Sequence, residues 1–333
     1  MSHTVIPAPV RFDVDLGREF VFRPGTAVAY TDAGLAPIAQ QFCSEITRRT
    51  GLRLAPRAGH PVPDEPAVTI ELAAGDDHGE LPASIGLSPA GDSAADERHS
   101  LLIDGDQVVV RAVNPVGVAR GLTTLVQLLA TAPSASTQEI SVPGARILDA
   151  PRFAWRGLSL DLARASFTVG EIRRVIDLLA LYKLNVLHVH LTDDQSWRLP
   201  VGRPTGIPEP DAAFYSDEDL RALASYAADR FITVVPEVDT PGHASALMHL
   251  HPELNTGCGP KMVSRTSAAP PWTGSRFTGL HGRQPPRPGP LAATHGDPRR
   301  PRHAQEYAPV GSRTLRPHRG PDYGALLDAA LVW

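Results

Sequence analysis

The chain is poor in cysteine, in long apolar runs and in net charge, and each shortage closes off a class of protein. Two cysteines occur in 333 residues, Cys43 and Cys258, and neither lies in a Cys-x-x-Cys pair. That leaves no disulfide framework and no thiol redox motif. No apolar run is long enough to span a bilayer, and the N-terminus, MSHTVIPAPVRFDVDLGREF, carries charges where a secretory signal would place its apolar core. A soluble, cytoplasmic protein is expected. The formal charge of −4 favours neither nucleic acid nor membrane as a partner. The average conceals an asymmetry: residues 261–333 hold ten Arg and one Lys against four acids, a surplus of +7 that leaves residues 1–260 near −11.

What is present starts with an α+β unit over residues 1–150. HSLLID and QVVVRAV flank Asp104-Gly105-Asp106 and predict a β-hairpin. In PVGVARGLTTLVQLLA, opened by Pro115, Val118, Leu122, Leu125, Val126 and Leu129 share one helical face. LAPIAQQFCSEITRRTG has the same period and stops at Gly51, a C-cap residue. The Gly- and Asp-rich stretch 75–98, with Asp76, Asp77 and His78, reads as a solvated surface loop, and nothing in this half looks catalytic. Residues 131–151 read as a connection ending at Asp149-Ala150-Pro151.

Beyond it, strand, polar loop and helix alternate three times. The pieces are RGLSLD then LARASF, NVLHVHL then TDDQSW, and FITVVPEV then DTPGH. Thr168-Val-Gly-Glu171 and Ser216-Asp-Glu-Asp219 each read as a capped helix start. Such alternation predicts a parallel sheet or barrel, whose chemistry would gather at the C-terminal ends of the strands. After Pro260 the period vanishes and Pro, Arg, Gly, Ala and His dominate. A tail of that composition is expected to be largely disordered.

The candidate residues sit just past the strands. Arg164, three after Asp161, reads either as a local ion-pair partner or as a guanidinium fork for paired ligand oxygens. Asp193 and Asp194 read as exposed loop acids, with Trp197 close behind as a stacking face for a sugar ring. Glu237, Asp239 and His243 bracket Pro241-Gly242, and the spacing suits a polar network that fixes the imidazole. His188 and His190 share one strand face. With Asp193, Asp239 and His243 they could serve a metal-dependent barrel hydrolase, but packing into the barrel interior with bonds to backbone or neighbouring strands is the favoured reading, and no cofactor is expected. His249 and His251 read as surface residues.

The runs WRGLSLDLAR, LYKLNVLHVHLTDDQSW and PEVDTPGH, followed by PELN, resemble glycoside hydrolase family 20, the β-N-acetylhexosaminidases. The resemblance covers roughly residues 153–257, and residues 1–150 are similar in layout to that family's N-terminal α/β domain. It implies an N-terminal α+β companion domain followed by an incomplete TIM (β/α)8 barrel of about three βα units over 151–260. It also implies an exo-acting glycosidase that removes terminal N-acetylhexosamine from glycans or chitooligosaccharides, with the substrate's own acetamide as nucleophile. By motif position Arg164 would bind hydroxyls of the terminal sugar. Asp193 and His243 would form a supporting pair, and Asp239 would join them. The family commonly has His where this chain has Ala165.

A larger departure follows. The family's catalytic Asp-Glu pair, preceded by glycine after the fourth strand, has no counterpart in these residues. The acids beyond Pro260 are scattered singly, as Asp297, Glu306, Asp322 and Asp328. General acid catalysis needs a positioned carboxyl, so an inactive chain is expected. Three strands cannot close a barrel that ordinarily takes about 250 residues, and the third would leave an unpaired edge. An Arg/Pro/Gly/Ala/His-rich tail is what GC-rich coding DNA yields out of frame. A frameshift near codons 257–262 is therefore expected, with residues 261–333 as its product.

Overall fold

The computed structural model describes residues 5–73, 81, 96–132, 139–199, 214–239 and 242–250. These belong to a unit that takes in Met1–Gly257. Asp76, Asp77, His78, His251 and everything expected of residues 261–333 lie outside the described residues. In chain order the elements are β1 (Arg11–Phe22), β2 (Ala27–Tyr30), α1 (Ala36–Thr50), β3 (Ala55–Ala58), β4 (Ala67–Leu72), β5 (His99–Asp104), β6 (Gln107–Ala112), α2 (Pro115–Thr131) and β7 (Ile140–Asp149). Then come β8 (Gly157–Asp161), α3 (Val169–Leu181), β9 (Val186–His190), α4 (Asp217–Ala228), β10 (Thr233–Glu237) and α5 (Ser245–Leu250). Among the described residues no helix is long and apolar enough to cross a membrane.

The first seven strands form one sheet, in the order β1-β7-β5-β6-β4-β2-β3. The expected hairpin is there: β5 and β6 pair antiparallel from His99↔Ala112 to Asp104↔Gln107. Alternation sends His99, Leu101 and Ile103 of β5, and Val108, Val110 and Ala112 of β6, into the core. Helices α1 and α2 pack against each other and the sheet. Gly51 closes α1 at φ 78°, a left-handed value that a residue without Cβ adopts freely. Gly117 and Gly121, one turn apart on α2, let the helix sit on the strands. A Cβ at Gly117 would lie 2.7 Å from the Ala112 Cβ, and one at Gly121 would lie 2.5 Å from Val110 Cγ1.

Two expectations fail in this half. Residues 131–151 are more than a connection, since β7 runs through them and lies between β1 and β5. Pro143 and Gly144 disguise it, because a proline normally argues against a central strand. Here Pro143 sits where the β1 register breaks between Asp15 and Glu19, beyond the last β5 partner, Ala145. No ladder bond is lost there to β5. The stretch 75–98 is not surface throughout: Glu97 is only 7% exposed, because it answers buried Arg120 and partly buried Arg156.

The second sheet holds β10-β9-β8, all parallel. Thr168 and Ser216 cap α3 and α4 through complete capping boxes with Glu171 and Asp219, so both helices begin where the sequence places them. Strand β9 is buried along most of its length, as a central parallel strand should be. A separate apolar cluster forms here, including Leu162, Ile172, Ile176, Leu179, Leu187, Leu191, Leu223 and Ile232.

Helix α2 joins the two sheets through a face that the apolar stripe does not predict. Arg120, Thr124 and Gln127 are polar yet buried. Arg120 Nη2 donates to the Phe231 carbonyl at 3.1 Å. Gln127 Nε2 donates to the Leu181 carbonyl at 2.6 Å and to that of Ile6 at 2.7 Å. Just before β8, Arg156 Nε donates to the Lys183 carbonyl at 2.8 Å. Lys183 (φ 58°) and Phe231 (φ 55°) are left-handed non-glycine residues at equivalent places after α3 and α4. The carbonyls left over at those helix ends are thus satisfied by side chains from outside the helices. Glu97 lies between Arg120 and Arg156, 2.6 Å from each, and Asp149 holds the Lys183 Nζ at 2.6 Å.

Candidate functional site

The register of the second sheet sets the site. Asp161 pairs with His190, and His190 with Glu237, so the last residues of three adjacent strands form one row. Neighbours in a parallel register share a face, and the loops that follow fold over that row.

After β8 the chain turns on Asp161. Its Oδ1 accepts the backbone N–H groups of Ala163 (3.1 Å) and Arg164 (2.9 Å), and its Oδ2 accepts Arg164 Nη1 at 2.6 Å. The other terminal nitrogen, Nη2, donates to Asp193. The local ion pair and the guanidinium fork are therefore the same arrangement, with the Arg164 side chain still 48% exposed. Burial opposes ionisation of Asp161, but the Arg164 N–H and guanidinium outweigh it and hold the carboxyl below the usual range.

The loop after β9 is pinned to the first. Ser196 Oγ donates to the Ala163 carbonyl at 2.5 Å, and Arg198 Nε to that of Leu162 at 2.9 Å. This buries Asp193, whose side chain is 1% exposed. Its carboxylate accepts from the Asp194 N–H at 2.6 Å, faces His190 Nε2 at 3.0 Å and His243 Nδ1 at 3.3 Å, and binds Arg164. Burial favours the neutral acid, yet these donors overcome it and Asp193 is held below the usual carboxylate range. The reading of Asp193 as an exposed loop acid is corrected: it is the buried hub.

The third loop closes the cluster. Glu237 Oε2 lies 2.9 Å from His188 Nε2 and 3.2 Å from His190 Nδ1. The Asp239 N–H donates to Thr192 Oγ1 at 2.9 Å, and the Asp239 carboxylate falls within 4.8 Å of the His190 and Glu237 ligand atoms. Burial would lower the His190 pKa, but bonds to Asp193 and Glu237, with Asp161 nearby, outweigh it and raise it above the ordinary imidazole value.

Of the five residues expected at a sugar site, the structure brings Arg164, Asp193 and His243 into direct contact and places Asp239 beside His190 and Glu237. Trp197 is 8% exposed, and its backbone bridges that of Thr192 across its own loop, so little of the indole is open to solvent in this structure. His190 is buried, and both histidines meet Glu237 of the neighbouring strand β10, as the favoured reading has it; His188, His190 and Asp193 do not converge as a metal-ligand trio. Among the described residues the converging trios are His190/Glu237/Asp239 and Asp193/Asp194/His243. The residues that sequence reasoning undervalued, Asp161, His190 and Glu237, share one legible signal: each ends its strand.

Two family models match the chain: "Glycosyl hydrolase family 20, domain 2" over residues 2–150, and "Glycosyl hydrolase family 20, catalytic domain" over residues 153–277. A Cellulomonas fimi protein named Beta-N-acetylhexosaminidase is 35% identical over 260 residues, which are 75% of this chain and 48% of that protein. The solved Streptomyces plicatus N-acetyl-beta-hexosaminidase in complex with Thio-NAglucal superposes with a TM-score of 0.62 at 31% identity, covering 76% of this chain and 49% of that one. The GH20 exo beta-N-acetylglucosaminidase of Vibrio harveyi, in complex with N-acetylglucosamine, gives a TM-score of 0.61 at 26% identity, covering 75% and 38%. The chain thus spans about half the length of such relatives, or less. Two matching family models in the order domain 2 then catalytic domain, and a fold shared with the solved relatives over about three quarters of the chain, lead to one conclusion: the chain belongs to glycosyl hydrolase family 20.

Proposed function

We propose that these residues form the sugar-recognition part of a β-N-acetylhexosaminidase, a glycosidase acting on terminal non-reducing N-acetylhexosamine of glycans or chitooligosaccharides. The observation that carries this reading is the half-exposed Arg164 guanidinium, oriented by Asp161 and by buried Asp193. Two carboxylates hold the fork without covering it, leaving N–H groups for vicinal hydroxyls of a pyranose. His243 supports Asp193, and Asp239 lies on the third loop at the same mouth. The division into an N-terminal domain over 1–150 and a partial catalytic barrel over 151–260 belongs to the same reading.

In the substrate-assisted scheme the acetamido oxygen attacks the anomeric carbon while an acid protonates the leaving oxygen. Among the described residues no carboxyl is placed for that protonation, and the polypeptide is proposed to bind without turnover. Calorimetric titration with N-acetylglucosamine tests binding. Arg164→Ala is expected to weaken it roughly ten- to hundredfold, the usual range for losing hydrogen bonds to a charged group. Unchanged affinity in that variant would remove Arg164 from the site. Release of the phenol from an aryl N-acetylglucosaminide by the folded chain would sink the claim of no turnover.

A further inference from the structure

We propose that His190, Glu237 and Asp239 form a site for a borderline divalent transition-metal ion of the Zn2+ class, and that this ion opposes sugar binding at the same mouth. The ion site stands on geometry alone; the competition rests on the sugar-recognition reading above. His190 Nδ1 and Glu237 Oε2 are 3.2 Å apart. Tetrahedral zinc with bonds near 2.1 Å separates its ligand atoms by roughly 3.4 Å, so this pair already has the spacing of two zinc ligands. Asp239 brings the third ligand atom within 4.8 Å of both, within reach of a rotation of its half-buried side chain.

A second, independent feature is the far side of the imidazole. His190 Nε2 lies 3.0 Å from Asp193 Oδ2, and Asp193 is buried and outside the trio. A carboxylate behind a histidine whose other nitrogen faces a second ligand group, here Glu237, is the support that metal-ligating histidines regularly carry. His188 Nε2, 2.9 Å from the same Glu237 oxygen, steadies that carboxylate. Charge favours a cation too. Asp161, Asp193, Asp194, Glu237 and Asp239 gather here against the guanidinium groups of Arg164 and Arg198. Arg164 is already bonded to Asp161 and Asp193, and Arg198 to the Leu162 carbonyl. One imidazole with two carboxylates suits Zn2+ better than Mg2+ or Ca2+, which take all-oxygen shells.

Three protein ligands leave a fourth position open. An ion there places positive charge beside His190, whose Nε2 faces Asp193, the acid that holds Arg164.

The test uses the full chain, stripped of metal, with Zn2+ titrated against a chromophoric chelator and Mg2+ as a control. One tight ion per chain is expected, weakened at least tenfold in Glu237→Gln and in Asp239→Asn and changed less than twofold in Asp194→Asn, which belongs to the other trio. Far-UV circular dichroism establishes that each variant is folded. No zinc uptake, or uptake equal in the Glu237 and Asp239 variants, overturns the ion site, as does a loss confined to the Asp194 variant. In the second arm, N-acetylglucosamine affinity is measured in chelator and with one equivalent of Zn2+, and at least a tenfold weakening is expected. Unchanged affinity overturns the competition alone. Absence of sugar binding even in chelator counts against the sugar-recognition reading and leaves the ion site to the first arm.

Discussion

Asp193 draws donors from all three loops beyond the strand ends: Arg164 from the first, the Asp194 N–H from its own, His243 from the third. A buried carboxylate is tolerated only when such partners offset its lost hydration. The motif spacing placed Arg164, Asp193 and His243 near one another, because each follows a strand closely. It did not say that Asp193 would be buried or that His190 would stand between two acids; that depends on the register of three strands. Elsewhere in the same unit, His99 is buried with a different outcome. Its Nδ1 donates to the Glu97 carbonyl at 2.9 Å, while Nε2 has no hydrogen-bond partner. Burial, with Lys183 adding to it, pushes the His99 pKa down to about 4. The native state therefore refuses a proton that the unfolded chain accepts below its ordinary value near 6.5. Stability is expected to fall as pH drops from about 6.5 towards 4. Urea unfolding at steps across that window should show the decline in the wild type and a flatter profile in His99→Phe. Parallel profiles would refute the assignment.

At the scale of elements, helices α3 and α4 were legible to their first residues, because Thr168 and Ser216 cap by local side-chain bonds that the sequence displays. Strand β7 was not legible, since the break in β1 that admits Pro143 is a property of a partner more than a hundred residues away. Helix α2 was half legible. Its apolar stripe marks the face on the sheet, whereas the burial of Arg120 and Gln127 required the second sheet's helices to arrive. The close seat of α2 gives a test. Gly117→Ala would gain up to about 1 kcal/mol in helix propensity, but its Cβ would meet the Ala112 Cβ and the Arg98 carbonyl oxygen, each at 2.7 Å. Both are poorly placed to yield, and overpacking of this kind costs about 1–3 kcal/mol. A net loss in chemical denaturation is expected, and a gain would show that the helix shifts freely.

For the whole molecule, the polar seam between the sheets carries the largest expected effect. Glu97 binds Arg120 and Arg156 inside the protein, one on the helix of the first sheet and one at the entry to the second. Burial works against the Glu97 charge, yet the two guanidinium groups prevail and keep its carboxyl below the ordinary range. Removing it leaves buried Arg120 and partly buried Arg156 without their counter-ion, and breaking a buried pair in that way costs about 3–5 kcal/mol. Glu97→Ala is expected to lose that much in denaturant unfolding and to split one transition into two, with far-UV and tryptophan signals no longer coincident. Loss below about 1 kcal/mol with one shared transition would mean that the apolar contacts of Leu181 and Phe231 with the first core suffice to join the sheets.

Sequence alone determined what is local. It set the period of each helix and strand, the caps that start α3 and α4, the hairpin turn at Gly105, and the motifs that resemble family 20. Those signals lie within a few residues of one another, where backbone preference and side-chain capping act. Tertiary structure alone decided the row of Asp161, His190 and Glu237, the burial of Asp193, the covering of Trp197, the strand through Pro143 and the polar face of α2. Each of these depends on which distant segment supplies the neighbouring hydrogen bond or removes the water, and no spacing along the chain records that.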